Sequence, residues 1–248
     1  MASPGKRALK DAAKLHLREQ LHRVRLSKNP LNPANQEPRL KTLQAWQQQR
    51  LADGYGDLRA QPRFRAACNF FINDLYGPQD FSQRDADVER IYPIMCRLLP
   101  AAVLDTVALA VELDALSHEL DVATAQWLEE GQPVTLERYR AAYVAATTVE
   151  QRRHQIVLLV VLGRELDRLV RKPMLWDLLR MCRWPARMAG LSALQSFLER
   201  GFDAFRQLKG AGPFLRTIAA REKRFAKALR TPETSSNTQT VLRQPEAA

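Results

Sequence analysis

The residues that could do chemistry are few. Glu112, Asp114, His118, Glu119 and Asp121 crowd into ten positions, and Glu150 stands one turn before His154. A di-iron carboxylate bundle needs Glu-x-x-His on two helices plus two further glutamates. Here the pairs are Asp114 with His118 and Glu150 with His154, each four residues apart, and neither is Glu-x-x-His. The plain reading is an exposed acidic helix face on which His118 and His154 meet carboxylates at i,i+4. No Cys-x-x-Cys-His run exists to attach haem. Nucleophilic catalysis finds no Gly-x-Ser-x-Gly, and none of Cys68, Cys96 and Cys182 adjoins a histidine. Cys68 and Cys96 sit on or beside apolar stripes and are expected to pack as buried thiols. No glycine-rich turn follows a strand, because strand signals are nearly absent. No catalytic, cofactor-binding or metal-binding residue is therefore predicted, and the expectation leans away from an enzyme.

The distinctive stretch is Phe70 to Asp87, FFINDLYGPQDFSQRDAD. It concentrates aromatic residues, a Gly77-Pro78 corner and charges. Packed aromatics, a chain turn and a Ser82–Asp85 capping box account for it structurally. A functional reading places Tyr76, Asp80, Arg84 and Asp85 on a cleft or partner surface. Phe64, Ala67, Cys68, Phe71 and Leu75 fall on one helical stripe, so Phe71 and Leu75 should be buried with Phe64 and Cys68. Asn73 lies opposite and should be exposed or meet a polar partner. Phe70 is off the stripe; if buried, its helix is covered on two sides.

FFINDLYGP followed by DFSQRD resembles the bacterial proteins named for a Phe-Phe-Leu-Glu-Glu-Leu-Tyr motif, which reads here Phe70 to Tyr76 with Ile72, Asn73 and Asp74 as departures. The resemblance implies a helical bacterial protein and brings no activity, substrate or ligand. Asn73 removes one of the two acidic positions, so chemistry through paired carboxylates would be in doubt.

The elements that must position these residues are helices. Leu9, Ala13, Leu17, Leu21 and Val24 recur every three or four residues and give a basic amphipathic first helix, which Ser27 to Pro33 ends. A second helix runs from about Arg39 to Ala52, and a third starts near Pro62. Pro93 should kink or break the helix opened by Ser82. Pro100 opens a longer one to about Leu120, a short one carries Trp127, Thr135 caps another, and Thr147 or Thr148 starts the next. Ile156 to Leu162 is apolar on all sides and should lie mid-core. Pro173, Pro185, Gly190, Gly210 and Gly212 divide the remainder into three helices. The expectation is an all-α, bundle-like domain of about eight to ten helices. Residues 1–36 form the basic helix and proline-rich linker, 37–230 the helical core, and 231–248 a disordered tail.

The 248 residues carry a formal net charge of +11, with 46% hydrophobic and 26% charged residues. That composition excludes wholesale disorder. Three cysteines in no metal or redox spacing suit a reducing compartment, and the longest apolar run is seven residues where a membrane span needs roughly 20. A cytoplasmic protein is expected. Residues 1–65 carry a net +9, residues 66–150 a net −9 and residues 151–248 a net +11. The acidic middle can satisfy the basic ends, or a basic face can stay open for phosphate. A membrane-surface helix wants bulky aromatics, and the first helix offers only Leu, Ala and Val on its apolar face. The leading expectation is therefore a non-enzymatic interaction or scaffold protein with an unidentified protein partner. The alternatives are a nucleic-acid-binding module using the basic ends and a helical enzyme or cofactor protein with an unrecognised pocket. No transmembrane segment and no membrane-surface binding are expected.

Overall fold

Proline and glycine punctuate this chain, and the computed structural model, which describes residues 5–76 and 82–231 apart from the side chains of Ser82 and Arg84, breaks its helices at most of them. In order these are α1 (Lys6–Ser27), α2 (Pro38–Gly54), α3 (Gly56–Ala60), α4 (Pro62–Phe70), α5 (Ser82–Leu98), α6 (Ala101–Ala125), α7 (Leu136–Ala146), α8 (Val149–Leu169), α9 (Pro173–Met181), α10 (Arg183–Met188), α11 (Ser192–Gln207) and α12 (Gly212–Arg230). There is no strand among the described residues, so the fold is all-α. Residues 232–248, expected to form a disordered tail, and Asp80 lie outside the described residues.

Local chemistry sets the ends. Pro38, Pro62 and Pro173 open α2, α4 and α9, where a missing N–H costs nothing. Thr148, rather than Thr147, caps α8 in a reciprocal capping box with Gln151. Gly190 adopts φ 69° after α10 and lets the Leu191 N–H reach the Ala186 carbonyl at 2.7 Å, which closes the helix end. Of the kink or break expected at Pro93, the break does not occur: α5 runs through it. The residue is exposed, so the carbonyl it leaves without an intrahelical partner faces the solvent side.

The central helix is α6, not the Ile156 to Leu162 segment of α8. Leu104, Ala108, Ala115, Leu116, Leu120, Asp121, Thr124 and Ala125 are all buried, whereas Val157 of α8 is 44% exposed. The reason is that α8 uses its inner side for Arg152, Leu158, Leu162 and Gly163 and leaves the opposite side open. α6 also runs on to Ala125, which leaves Trp127 in a turn rather than a helix of its own. α1 lies along α6 and buries Ala13 and Leu17 with Leu104, Ala108 and Met95. α4, α11 and α12 share a second core through Cys68, Phe205, Phe214, Leu215 and Ile218. A third joins α2, α7 and α12 through Leu43, Tyr139, Tyr143, Phe225 and Leu229.

The Phe70 to Tyr76 segment changes helix type midway: α4 ends at Phe70 and Phe71–Leu75 form a π-helical turn. A π-turn carries an extra residue and rotates the side chains beyond it around the axis. Phe71 and Phe64 keep the stripe but are only half-buried, packing on the core around Phe205 and Phe214. Beyond Phe71 the buried residue is Ile72 rather than Leu75, while Asn73 is exposed as its position requires. Phe70 is buried against Phe197, with ring centroids 5.3 Å apart, so the segment is covered on two sides.

Candidate functional site

On α6, Asp114, His118, Asp121 and Thr124 stand three or four residues apart and so share one face. That face points inward. Each residue is met by a different part of the chain. Lys28, just past α1, donates from Nζ to Asp114 and at 2.8 Å to Asp85 of α5. His118 Nε2 lies 2.8 Å from Asn35 Oδ1. The Asn35 amide nitrogen already donates to the Ser27 and Asn29 carbonyls, so its oxygen accepts from His118. Asp121 accepts at Oδ1 from Gln47 Nε2 at 3.0 Å and at Oδ2 from the Tyr76 hydroxyl at 2.8 Å. Thr124 Oγ1 accepts from Arg152 Nη2 at 3.2 Å. Arg152 also lies over the Tyr143 ring, 4.5 Å from its centroid.

A second knot joins α2 and α12. Arg50 donates to both oxygens of Glu222 at 3.1 and 3.0 Å, and the Tyr55 hydroxyl donates to the same carboxylate at 2.7 Å. Arg221 makes a bidentate pair with Asp57 at 2.7 Å on each arm.

Burial sets the electrostatics. It pushes the Asp121 carboxyl above the usual range, while Arg152 and the two hydrogen bonds pull the other way. Burial pushes the Tyr76 phenol well above its ordinary value, with the Asp121 carboxylate adding to it. The phenol is thus held protonated and acts as a donor. Burial alone would raise Glu222, but the Arg50 charge and the bonds from Arg50 and Tyr55 outweigh it and hold the carboxyl below the usual range. A raised carboxyl in a cleft would be a general-acid candidate. Asp121 is 2% exposed and both its oxygens are occupied by the chain's own donors, so it lacks the reach to a substrate that such chemistry requires. What the arrangement does is fasten helices to one another.

Of the residues proposed from sequence as a functional surface, Tyr76 is inside, on Asp121, and Asp85 is on Lys28. They reach the α6 ridge through different partners two turns apart. Asp80 and the Arg84 side chain fall outside the described residues. The acidic face expected to be exposed is turned inward. His118 meets Asn35 rather than an i,i+4 carboxylate, and His154 meets Glu112 of α6 at 3.2 Å rather than Glu150. Glu112 also faces His16 of α1 at 3.6 Å. Among the described residues no three His, Cys, Asp or Glu side chains gather so as to hold a metal ion. Sequence reasoning passed over Gln47, Arg50, Arg152 and Glu222; their helices carry many other polar residues, so no local signal marked these as the buried ones.

The open surface lies elsewhere. α9 buries none of its residues. Met174, Met181, Trp184 and Met188 are 75%, 76%, 71% and 69% exposed, and Leu178 is exposed with them. At 100° per residue these five fall within an arc of about 120°. The opposite side is the one attached to the body. Trp176 stacks on Phe202, Gln195 donates to the Leu179 carbonyl at 2.7 Å, Arg183 pairs with Glu199, and Ala186 is buried.

No curated protein and no solved structure matches the chain. A family model described as a domain of unknown function, DUF8198, matches residues 27–236, from the end of α1 through α12. The shared region thus takes in the α6 ridge, the Arg50–Glu222 knot and the α9–α10 face, and the chain belongs to the DUF8198 family.

Proposed function

We propose that this protein is a non-enzymatic binding module whose working surface is the outward face of α9 and α10. The observation that carries the reading is the apolar stripe from Met174 to Met188, which gathers five exposed large side chains on one arc, while other exposed apolar residues such as Leu31, Trp127, Ile94 and Leu98 are spread over the body. Large exposed apolar patches mark interaction sites. The polar residues first considered for chemistry support the same reading, because Tyr76, Asp85, Asp114, His118 and Asp121 are spent on one another's elements. The nucleic-acid alternative loses support at the N-terminal end, where Arg23, Arg25 and Lys28 pair with Glu119, Glu89, Asp85 and Asp114 of the acidic middle. A cytoplasmic location and membership among the bacterial proteins with the Phe-Phe-Leu-Glu-Glu-Leu-Tyr motif belong to the same proposal.

The test is a photo-crosslinking residue, p-benzoylphenylalanine, placed at position 181 or, as a control, at the exposed position 31. Mass spectrometry of the protein crosslinked in its own cells should find adducts at 181, of protein or lipid, that vanish when Trp184→Asp is added. Equal adducts at both positions, or none at 181, would overturn the proposal.

A further inference from the structure

The character of the α9–α10 face narrows what covers it, on the reading that this face is the binding surface. The apolar arc is built from Met, Leu and Trp, and cations line it. Lys172 precedes the stripe, and Arg180 and Arg187 are exposed beside it. Arg183 is engaged by Glu199, whereas Lys172 and Arg187 make no ion pair among the described residues. Asp177 is the only acid in α9 and α10, and it lies on the outward side. From Met174 to Met188 the stripe runs about 21 Å along the helical path. These are the components of a helix lying in a bilayer interface: apolar residues including Trp toward the acyl chains, with Lys and Arg beside them at the headgroups.

Other occupants fit less well. A second copy joined by two-fold symmetry would set the same patch against itself. Lys172, Arg180 and Arg187 would then face their own duplicates, with only Asp177 in relief. A protein partner with anchoring side chains needs pockets to seat them. The depression on this face, about 350 Å³, is an open dent lined by Asp177, Arg180, Met181 and Arg183. The stripe itself is the convex side of the helix, which suits a flat, fluid surface. Among the described residues no helix is long and apolar enough to cross a membrane, so contact would be with the surface.

We infer that α9 and α10 dock on an anionic lipid surface, with Met174, Leu178, Met181, Trp184 and Met188 at the acyl boundary and Lys172, Arg180 and Arg187 at the phosphates. Binding then draws on both apolar burial and charge, and salt weakens the second.

The experiment is co-sedimentation of the full chain with vesicles of phosphatidylcholine alone or mixed with phosphatidylglycerol, at low and high salt. Trp184 emission is taken as the difference between the Trp127→Phe protein and the same protein carrying Trp184→Phe, because Trp46 and Trp176 also emit and Trp127 is exposed. The protein should sediment with phosphatidylglycerol vesicles, shift its Trp184 emission to the blue, and bind phosphatidylcholine weakly. Met181→Asp with Trp184→Asp should weaken binding by about tenfold or more, as expected for losing two buried apolar side chains. Lys172→Gln with Arg187→Gln should reduce both binding and its salt dependence. Lys6→Gln with Lys10→Gln, on the exposed start of α1, should leave binding unchanged. Failure to sediment with phosphatidylglycerol vesicles overturns the lipid inference, as does binding lost only in the α1 variant. A dimer in sedimentation velocity that Trp184→Asp dissolves would also overturn it, while leaving the α9–α10 face as the binding surface. The crosslink at position 181 judges that broader reading separately.

Discussion

The Tyr76 hydroxyl donates a 2.8 Å hydrogen bond to Oδ2 of Asp121 and so ties the end of the π-helical turn to the C-terminal part of α6. Gln47 donates to the other oxygen, and Gln48 reaches the Ile72 and Tyr76 carbonyls at 2.8 and 3.3 Å. The aromatic motif is thus anchored by side chains from two other helices.

Tyr76→Phe keeps the ring and removes the donor, leaving a buried carboxylate short of one bond. The expected loss is about 1–3 kcal/mol, read from the urea midpoint. In an Asp121→Ala background the same change has nothing to break and should cost much less. Equal losses in both backgrounds would show that the bond contributes nothing.

His118 makes stability depend on pH near neutrality. Burial lowers its pKa from the ordinary value of 6.5, and the Lys28 charge adds to the shift. The unfolded chain then binds the proton more readily than the folded one. Stability is therefore full above about pH 6.5 and falls as pH drops below that value. His118→Gln keeps a donor for Asn35 and should flatten this part of the profile. Thermal melts between about pH 5.5 and 7.5 that are parallel in both proteins would contradict the assignment.

Breaking the Arg50–Glu222 pair should be among the most damaging single changes to a polar residue. Arg50→Ala strands a largely buried carboxylate, and the loss should approach the 3–5 kcal/mol typical of such pairs. Glu222→Gln, which keeps the shape and an acceptor for Tyr55, should cost less. Because Glu222 sits below its ordinary 4.5, its contribution is present at neutral pH and lost as pH falls through and below that value. Acid unfolding should accordingly begin at higher pH in the wild type than in Glu222→Gln, when each is referred to its own neutral stability.

A methyl group at Gly201 has no room. A Cβ there would lie 2.7 Å from Phe70 Cζ, and the Phe70 ring is confined by Phe71 and Phe197. Overpacking costs about 1–3 kcal/mol and outweighs the gain in helix propensity of roughly 1 kcal/mol. Gly201→Ala should destabilise, and Phe70→Leu should be less harmful in that background than alone. If Gly201→Ala stabilises the protein, α11 does not approach the motif this closely.

The three thiols should separate by reactivity. Cys182 is exposed, Cys96 is half-buried and Cys68 is buried, with burial pushing the Cys68 thiol up to about 11. A thiol reagent at neutral pH should modify Cys182 first and reach Cys68 only on unfolding. Early modification of Cys68, mapped by peptide mass, would refute the packing of α4.

How much of the fold and the site was legible depends on which forces are local. Helix type, and most boundaries at Pro38, Pro62, Thr135, Thr148 and Pro173, depend on φ, caps and apolar spacing within a few residues, and these can be read along the chain. The Phe64–Cys68–Phe71 stripe was readable for the same reason, and the position of Asn73 with it. The π-turn that buries Ile72 instead of Leu75 was not, because it depends on how Phe70 and Phe71 seat against α11 and α12. Nor was the direction of the polar face on α6. Periodicity shows that Asp114, His118, Asp121 and Thr124 share a side, but whether that side meets water or Lys28, Asn35, Tyr76 and Arg152 depends on residues up to 86 positions away. The same ambiguity, reversed, hid the α9–α10 face. An apolar stripe normally packs, and only the assembled bundle decides that the Trp176 side is attached while the Met181 and Trp184 side is left open.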